Sequence, residues 1–100
     1  MTKLSLEIYR DNVPGARRTI WLEETEDGGI SIQAQDIGKA VEEAFGDSDY
    51  ERWYTVPAAE KDKLLIALMK ARFGERMKAV DEFRAFCDAA GVKGEGGSYS

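Results

Sequence analysis

The side chains with a claim to chemistry in this 100-residue chain are Asp47, Asp49 and Glu51, the adjacent Glu42 and Glu43, the single Cys87, and two glycine-rich stretches. Asp47, Asp49 and Glu51 alternate as ligands do at the start of a calcium loop. Arg52 stands where that loop needs its glycine turn, and Ala58 where it needs its closing bidentate glutamate, so a solvated acidic loop is expected instead. Glu42 and Glu43 are neighbours on a helical pattern and project about 100° apart, which does not build a shared acid–base site. Cys87 follows Phe83 by four residues on an apolar helix face and reads as a buried structural thiol. The chain has no histidine, so nothing can activate that thiol in the usual way, and a Ser-His-Asp relay is excluded. No Ser-x-x-Lys sequence occurs. Gly28-Gly29 and Gly94-Glu95-Gly96-Gly97 lack the spacing and the Lys-Ser/Thr ending of phosphate-binding loops. The sequence therefore offers no catalytic residues, no metal set and no cofactor loop.

What the chain does offer is charge placed unevenly. The formal net charge is −5. Within residues 21–50, nine acids (Glu23, Glu24, Glu26, Asp27, Asp36, Glu42, Glu43, Asp47, Asp49) stand against Lys39 alone, while the segments on either side are slightly basic. Phosphate contacts need Lys and Arg, so direct nucleic-acid binding through this third is disfavoured and a basic protein is its natural complement. The single cysteine cannot close an internal disulfide, which fits a reducing cytoplasm. The longest unbroken apolar run, Leu64 to Met69, is far shorter than the roughly 20 residues that cross a bilayer, so no membrane association is expected.

The elements that must carry these groups follow from periodicity. Leu4, Leu6 and Ile8 alternate with polar residues, and so do Ile20 and Leu22, then Ile30, Ile32 and Ala34, giving three half-buried strands. Asp11-Asn12-Val13-Pro14-Gly15 and Glu26-Asp27-Gly28-Gly29 are the turns between them. If the apolar sets share one face, Glu7, Trp21 and Gln33 line up on the other. Asp36 is expected to cap a short helix that buries Ile37, Ala40, Val41, Ala44 and Phe45 and stops at Gly46. Tyr50 to Val56 reads as a fourth strand; its position in the sheet is left open, with the short helix available as a crossover. A helix over 57–72 has an apolar arc of roughly 200°, wide enough to need covering on two sides. A last helix over 75–90 ends at Gly91-Val92 in a Schellman-type stop. The expectation is an α+β domain: a small antiparallel sheet, a three-strand meander plus a fourth strand, in the order β-β-β-α-β-α-α. Its helices pack on one face, residues 1–92 form one compact domain, and 93–100 form a flexible tail.

Two features have no chemical use and point to binding. On the short helix Glu42, Glu43 and Asp47 must face water, joined by Asp49 and Glu51 from the next segment. Trp21 falls on the face opposite the aliphatic residues, and Trp53 and Tyr54, as consecutive strand residues, point to opposite faces. Trp and Tyr beside carboxylates are the types that anchor interfaces. The sequence reads as a non-enzymatic, acidic, protein-binding module. The class meant is a small inhibitor or neutralising partner (immunity protein, antitoxin or phage inhibitor) of a basic, nucleic-acid-handling protein. Trp21, Glu42, Glu43, Asp47, Asp49, Glu51, Trp53 and Tyr54 are its expected contact residues. Two other readings stand beside it: a structural homodimer joined through Leu64, Leu65, Ile66, Leu68 and Met69, and a carboxylate-based enzyme.

Overall fold

The structure, a computed structural model, describes residues 4–38 and 49–98. Four antiparallel strands come first: β1 (Ser5–Val13), β2 (Ala16–Glu24), β3 (Ile30–Ile37) and β4 (Asp49–Val56). A single 3₁₀ turn, Ala58–Glu60, leads into α1 (Lys61–Phe73), and α2 (Ala79–Ala90) follows. This is an α+β fold, a four-strand antiparallel sheet followed by two helices. The chain groups into two compact units, residues 1–62 and 63–100.

The sheet is a plain meander in which each strand lies beside its sequence neighbour, in the order β1-β2-β3-β4. Its faces are set by register. Leu6 opposes Leu22, which opposes Ile32, which opposes Tyr54, so the aliphatic residues form one face. Glu7 opposes Trp21, Trp21 opposes Gln33, and Gln33 opposes Trp53, so the row expected from alternation exists and gains a second tryptophan. The β1–β2 register shifts between Glu7 and Tyr9, a bulge at Ile8 that bends the first strand. On the aliphatic face Leu4, Leu6, Ile8 and Ile32 are exposed, and Ile20, Leu22 and Ile30 are half-buried.

The β2–β3 turn is fixed from several sides. Thr25 N–H donates to Gly29 O at 3.0 Å, Gly28 N–H to Thr25 O at 3.1 Å, and Gly29 N–H to Thr25 Oγ1 at 2.9 Å. Lys61 Nζ donates to Gly28 O at 2.7 Å, tying the start of α1 to the same turn. Gly29 is required here by space: a Cβ would lie 2.4 Å from Val56 O and 3.2 Å from Pro57 Cα.

Two expectations are corrected at the end of β3. Asp36 is not a helix cap, and Ile37 does not start a helix, because the strand runs through both. The reason is Arg18, which lies directly opposite Asp36 on β2 and grips its carboxylate with both arms, Nε to Oδ1 at 2.6 Å and Nη2 to Oδ2 at 2.9 Å. A fork-on-fork pair between strands is a better partner for the carboxylate than free amides at a helix start, and it carries the ladder two residues further. The remainder of the expected short helix, with Glu42, Glu43 and Asp47, lies outside the described residues. Ile37 pairs with Asp49 across the β3–β4 ladder, so the position that periodicity leaves open is settled: the fourth strand lies beside the third, antiparallel to it.

Among the described residues of the helical unit, Phe73 is the buried apolar side chain, 9% exposed. Phe83 and Phe86 of α2 meet it edge-on, with ring centroids 5.5 and 6.1 Å away. Gly91 adopts a left-handed conformation, its N–H bonding Asp88 O at 3.2 Å while Val92 N–H bonds Cys87 O at 2.8 Å. Those two bonds are the Schellman ending expected from Gly91-Val92. The last helix begins at Ala79 and not near 75: Glu75 has φ 59, and Arg76 is drawn into a bidentate pair with Glu82, Nε to Oε2 at 2.5 Å and Nη2 to Oε1 at 3.0 Å.

Candidate functional site

The face of the sheet opposite the aliphatic residues carries the candidate site. Strand alternation and the register place Glu7, Trp21, Glu23, Ser31, Gln33, Gln35, Asp49, Glu51, Trp53 and Thr55 on it. Its centre is a fixed polar lattice. Glu23 Oε2 accepts from Trp21 Nε1 at 3.2 Å and from Gln33 Nε2 at 3.0 Å. Ser31, 3% exposed, accepts at Oγ from Thr55 Oγ1 at 3.2 Å. Charged and amide partners so arranged hold one another's rotamers, so the surface is set before anything binds it.

Beside this lattice is an open groove of about 390 Å³, lined by Glu23, Glu24, Glu26, Ser31, Gln33 and Trp53 among others. Trp53 forms part of its wall and is 69% exposed. Further along the same face, Gln35 Nε2 lies 3.2 Å from Asp49 Oδ1 and 3.2 Å from Glu51 Oε1, so one amide gathers two carboxylates into a pair. A groove with carboxylates at one side and an exposed indole at the other suits a cationic side chain: the carboxylates take its charge and the ring face takes its stem or its guanidinium plane.

The residues expected from sequence therefore sort into three groups. Trp21, Trp53, Asp49 and Glu51 come together on one face. Tyr54, 74% exposed, lies on the other, where it borders a separate groove of about 270 Å³ with Ile20, Ile32, Ala34 and Arg52. Glu42, Glu43 and Asp47 lie outside the described residues. Carboxylates of the acidic third do not all face one way, since Asp36 is on the aliphatic side and matched by Arg18. The Arg18 guanidinium bonded to it holds the Asp36 carboxyl below the ordinary carboxylate range. Glu7, on the acidic face, is paired with Arg10 at 2.7 Å.

Glu23, Gln33, Gln35 and Ser31 were not singled out in the sequence. Alternation puts Gln33 in the row with Trp21, but nothing in its type announces that it will share Glu23 with that tryptophan. Gln35 could have been found by carrying the alternation two residues further. Cys87 is half-buried in α2, less enclosed than expected. Among the described residues no group of three or more His, Cys, Asp or Glu side chains could hold a metal ion, and no helix is long and apolar enough to cross a membrane.

No protein-family model matches the chain, and no curated protein or solved structure shows significant similarity to it.

Proposed function

We propose that this chain is a non-enzymatic acidic binding module whose partner is a basic protein, and that the groove between Glu23 and Trp53 receives one of the partner's Lys or Arg side chains. The observation that carries this reading is the juxtaposition of a 69% exposed tryptophan with Glu23 and Glu26 in one groove, continued by the Asp49–Glu51 pair. Carboxylates on such a face steer a positively charged surface towards it, and the exposed Trp53 indole supplies an apolar contact that is desolvated on binding. A nucleic-acid-handling protein is the partner class meant, because its own binding surface is basic and an acidic face can occupy it in place of a phosphate backbone. Inhibition or neutralisation of that protein, in the cytoplasm, is the role such blocking would serve.

The test is capture from a host lysate by immobilised wild-type chain and by Glu23→Gln and Trp53→Ala variants, at low and high salt. The reading expects a basic protein that is retained at low salt, released at high salt and weakened by either substitution. Retention unaffected by salt and by both substitutions contradicts it.

A second reading has an observation of its own. Leu65, Ile66 and Leu68 are exposed on α1, while Leu64 and Met69 are half-buried. These residues would serve a structural homodimer joined through that helix. Ile66→Glu followed by light scattering separates the two: loss of a dimer supports helix pairing, and an unchanged mass removes it.

A further inference from the structure

Glu23 is held differently from the ion-paired acids of this chain. Arg10 takes Glu7, Arg18 takes Asp36 and Arg76 takes Glu82. The groups bonded to Glu23 are neutral, Trp21 Nε1 and Gln33 Nε2, and both donate to the same oxygen, Oε2. Each carboxylate oxygen accepts at two lone-pair sites. Oε2 is therefore filled from within the sheet, while Oε1 has no donor among the described residues. The Gln33 amide is oriented by the same contact. A carboxylate only accepts, so the amide nitrogen must face Glu23, and the side-chain carbonyl oxygen is left without a donor among the described residues. Glu23, Gln33 and Thr55 line the groove beside Trp53, and no Lys or Arg among the described residues lines it with them.

We propose that this groove takes a lysine side chain of the partner in preference to an arginine. The proposal rests on the reading of the groove as a cation site and narrows it to one kind of cation. A guanidinium gains most when its fork spans both oxygens of a carboxylate, one N–H to each. At Glu23 that seat is taken. A fork would have to displace the N–H of Trp21 or of Gln33, and a half-buried donor stripped of its acceptor is costly. An ammonium makes no such demand, being a compact charge with three donors. Oε1 accepts one of them, and the Gln33 side-chain carbonyl and the Thr55 hydroxyl supply neutral acceptors in the same lining. The methylene stem lies against the exposed Trp53 ring, as long cationic side chains lie on apolar surface. Stacking on that ring favours a guanidinium, but at an exposed ring the gain is smaller than that of the charge-assisted pair it forgoes.

Calorimetric titration of the full chain with pentalysine and with pentaarginine at low salt tests this. The side chains of the two peptides carry equal charge, so the acidic face attracts both alike and the difference between them reads the seat at Glu23. Pentalysine should bind about 5-fold tighter. Trp21→Phe keeps an aromatic ring but removes the N–H that fills Oε2, and should bring the lysine-to-arginine ratio down to about 1 or below. Gln33→Met removes the other donor and should move the ratio the same way. Circular dichroism checks the fold of each variant, and the wild-type ratio needs no variant to be read. A wild type that binds pentaarginine as tightly as pentalysine, or more tightly, overturns the lysine preference and leaves the basic-partner reading standing. Binding of neither peptide overturns both. A preference for lysine that persists unchanged in folded Trp21→Phe and Gln33→Met also overturns the proposal, because the filled oxygen would not be its cause.

Discussion

Trp21 and Trp53 lie in one row of the sheet with Gln33 between them, and they are held differently: the Trp21 indole donates to Glu23 Oε2 at 3.2 Å, while Trp53 presents 69% of its surface to solvent. The pair divides the labour of a binding face. Trp21 and Gln33 orient a carboxylate, and Trp53 offers the ring.

Trp53→Ala should leave the fold intact, because the side chain is mostly exposed, yet weaken capture of the basic partner about 30-fold, the size of a tryptophan hot spot. Tyr54→Ala should leave that affinity within about 3-fold, since Tyr54 is on the opposite face. Surface plasmon resonance on the captured partner measures both.

Gly29→Ala should destabilise the sheet unit by about 1–3 kcal/mol, because the new methyl would overlap Val56 O, a backbone atom that can move only with the β4–α1 junction. Urea unfolding followed by tryptophan fluorescence reads this. An unchanged midpoint would show that the junction yields freely.

The fold was legible where polar alternation was strict. Leu4-Leu6-Ile8, Ile20-Leu22 and Ile30-Ile32-Ala34 gave three strands and the correct facing of Glu7, Trp21 and Gln33, since a period of two allows no other arrangement. The end of β3 was not legible. Asp36 is as suitable for a cap as for a strand, and the choice depends on Arg18, eighteen residues earlier. Phe73 was missed for a related reason: next to Gly74 it looks like the residue after a helix, and its importance comes from Phe83 and Phe86 on another element. The site was half legible. Residue types named Trp53, Asp49 and Glu51, but the amides that organise the carboxylates carry no charge, so alternation placed them on the face without announcing their role.

Asp36 gives the sheet an acid-side dependence. Its carboxyl is held low by the Arg18 bond, so the ionised form is favoured in the folded state. That contribution is complete above the ordinary carboxylate pKa of about 3.9 and is lost as pH falls towards the depressed folded value. Asp36→Asn should lower stability at neutral pH and flatten the decline of midpoint below about pH 4. Urea midpoints from pH 7 down to acid record the effect, and parallel profiles for the two proteins would remove Asp36 as its source.

Phe73→Ala should cost the helical unit about 3 kcal/mol, since it empties the place where two other rings meet. Helical circular dichroism during thermal unfolding measures the loss. Val80→Ala, on an exposed position of α2, should change it by no more than about 0.5 kcal/mol.

Fluorescence titration of the chain with an oligoarginine peptide at rising salt tests most directly whether the Glu23–Trp53 face recognises cationic side chains. The account expects a change in tryptophan emission that saturates at low salt, a Kd that weakens steadily as screening grows, and loss of the signal in Trp53→Ala. Saturation that does not shift with salt, or no response at low salt, would contradict it.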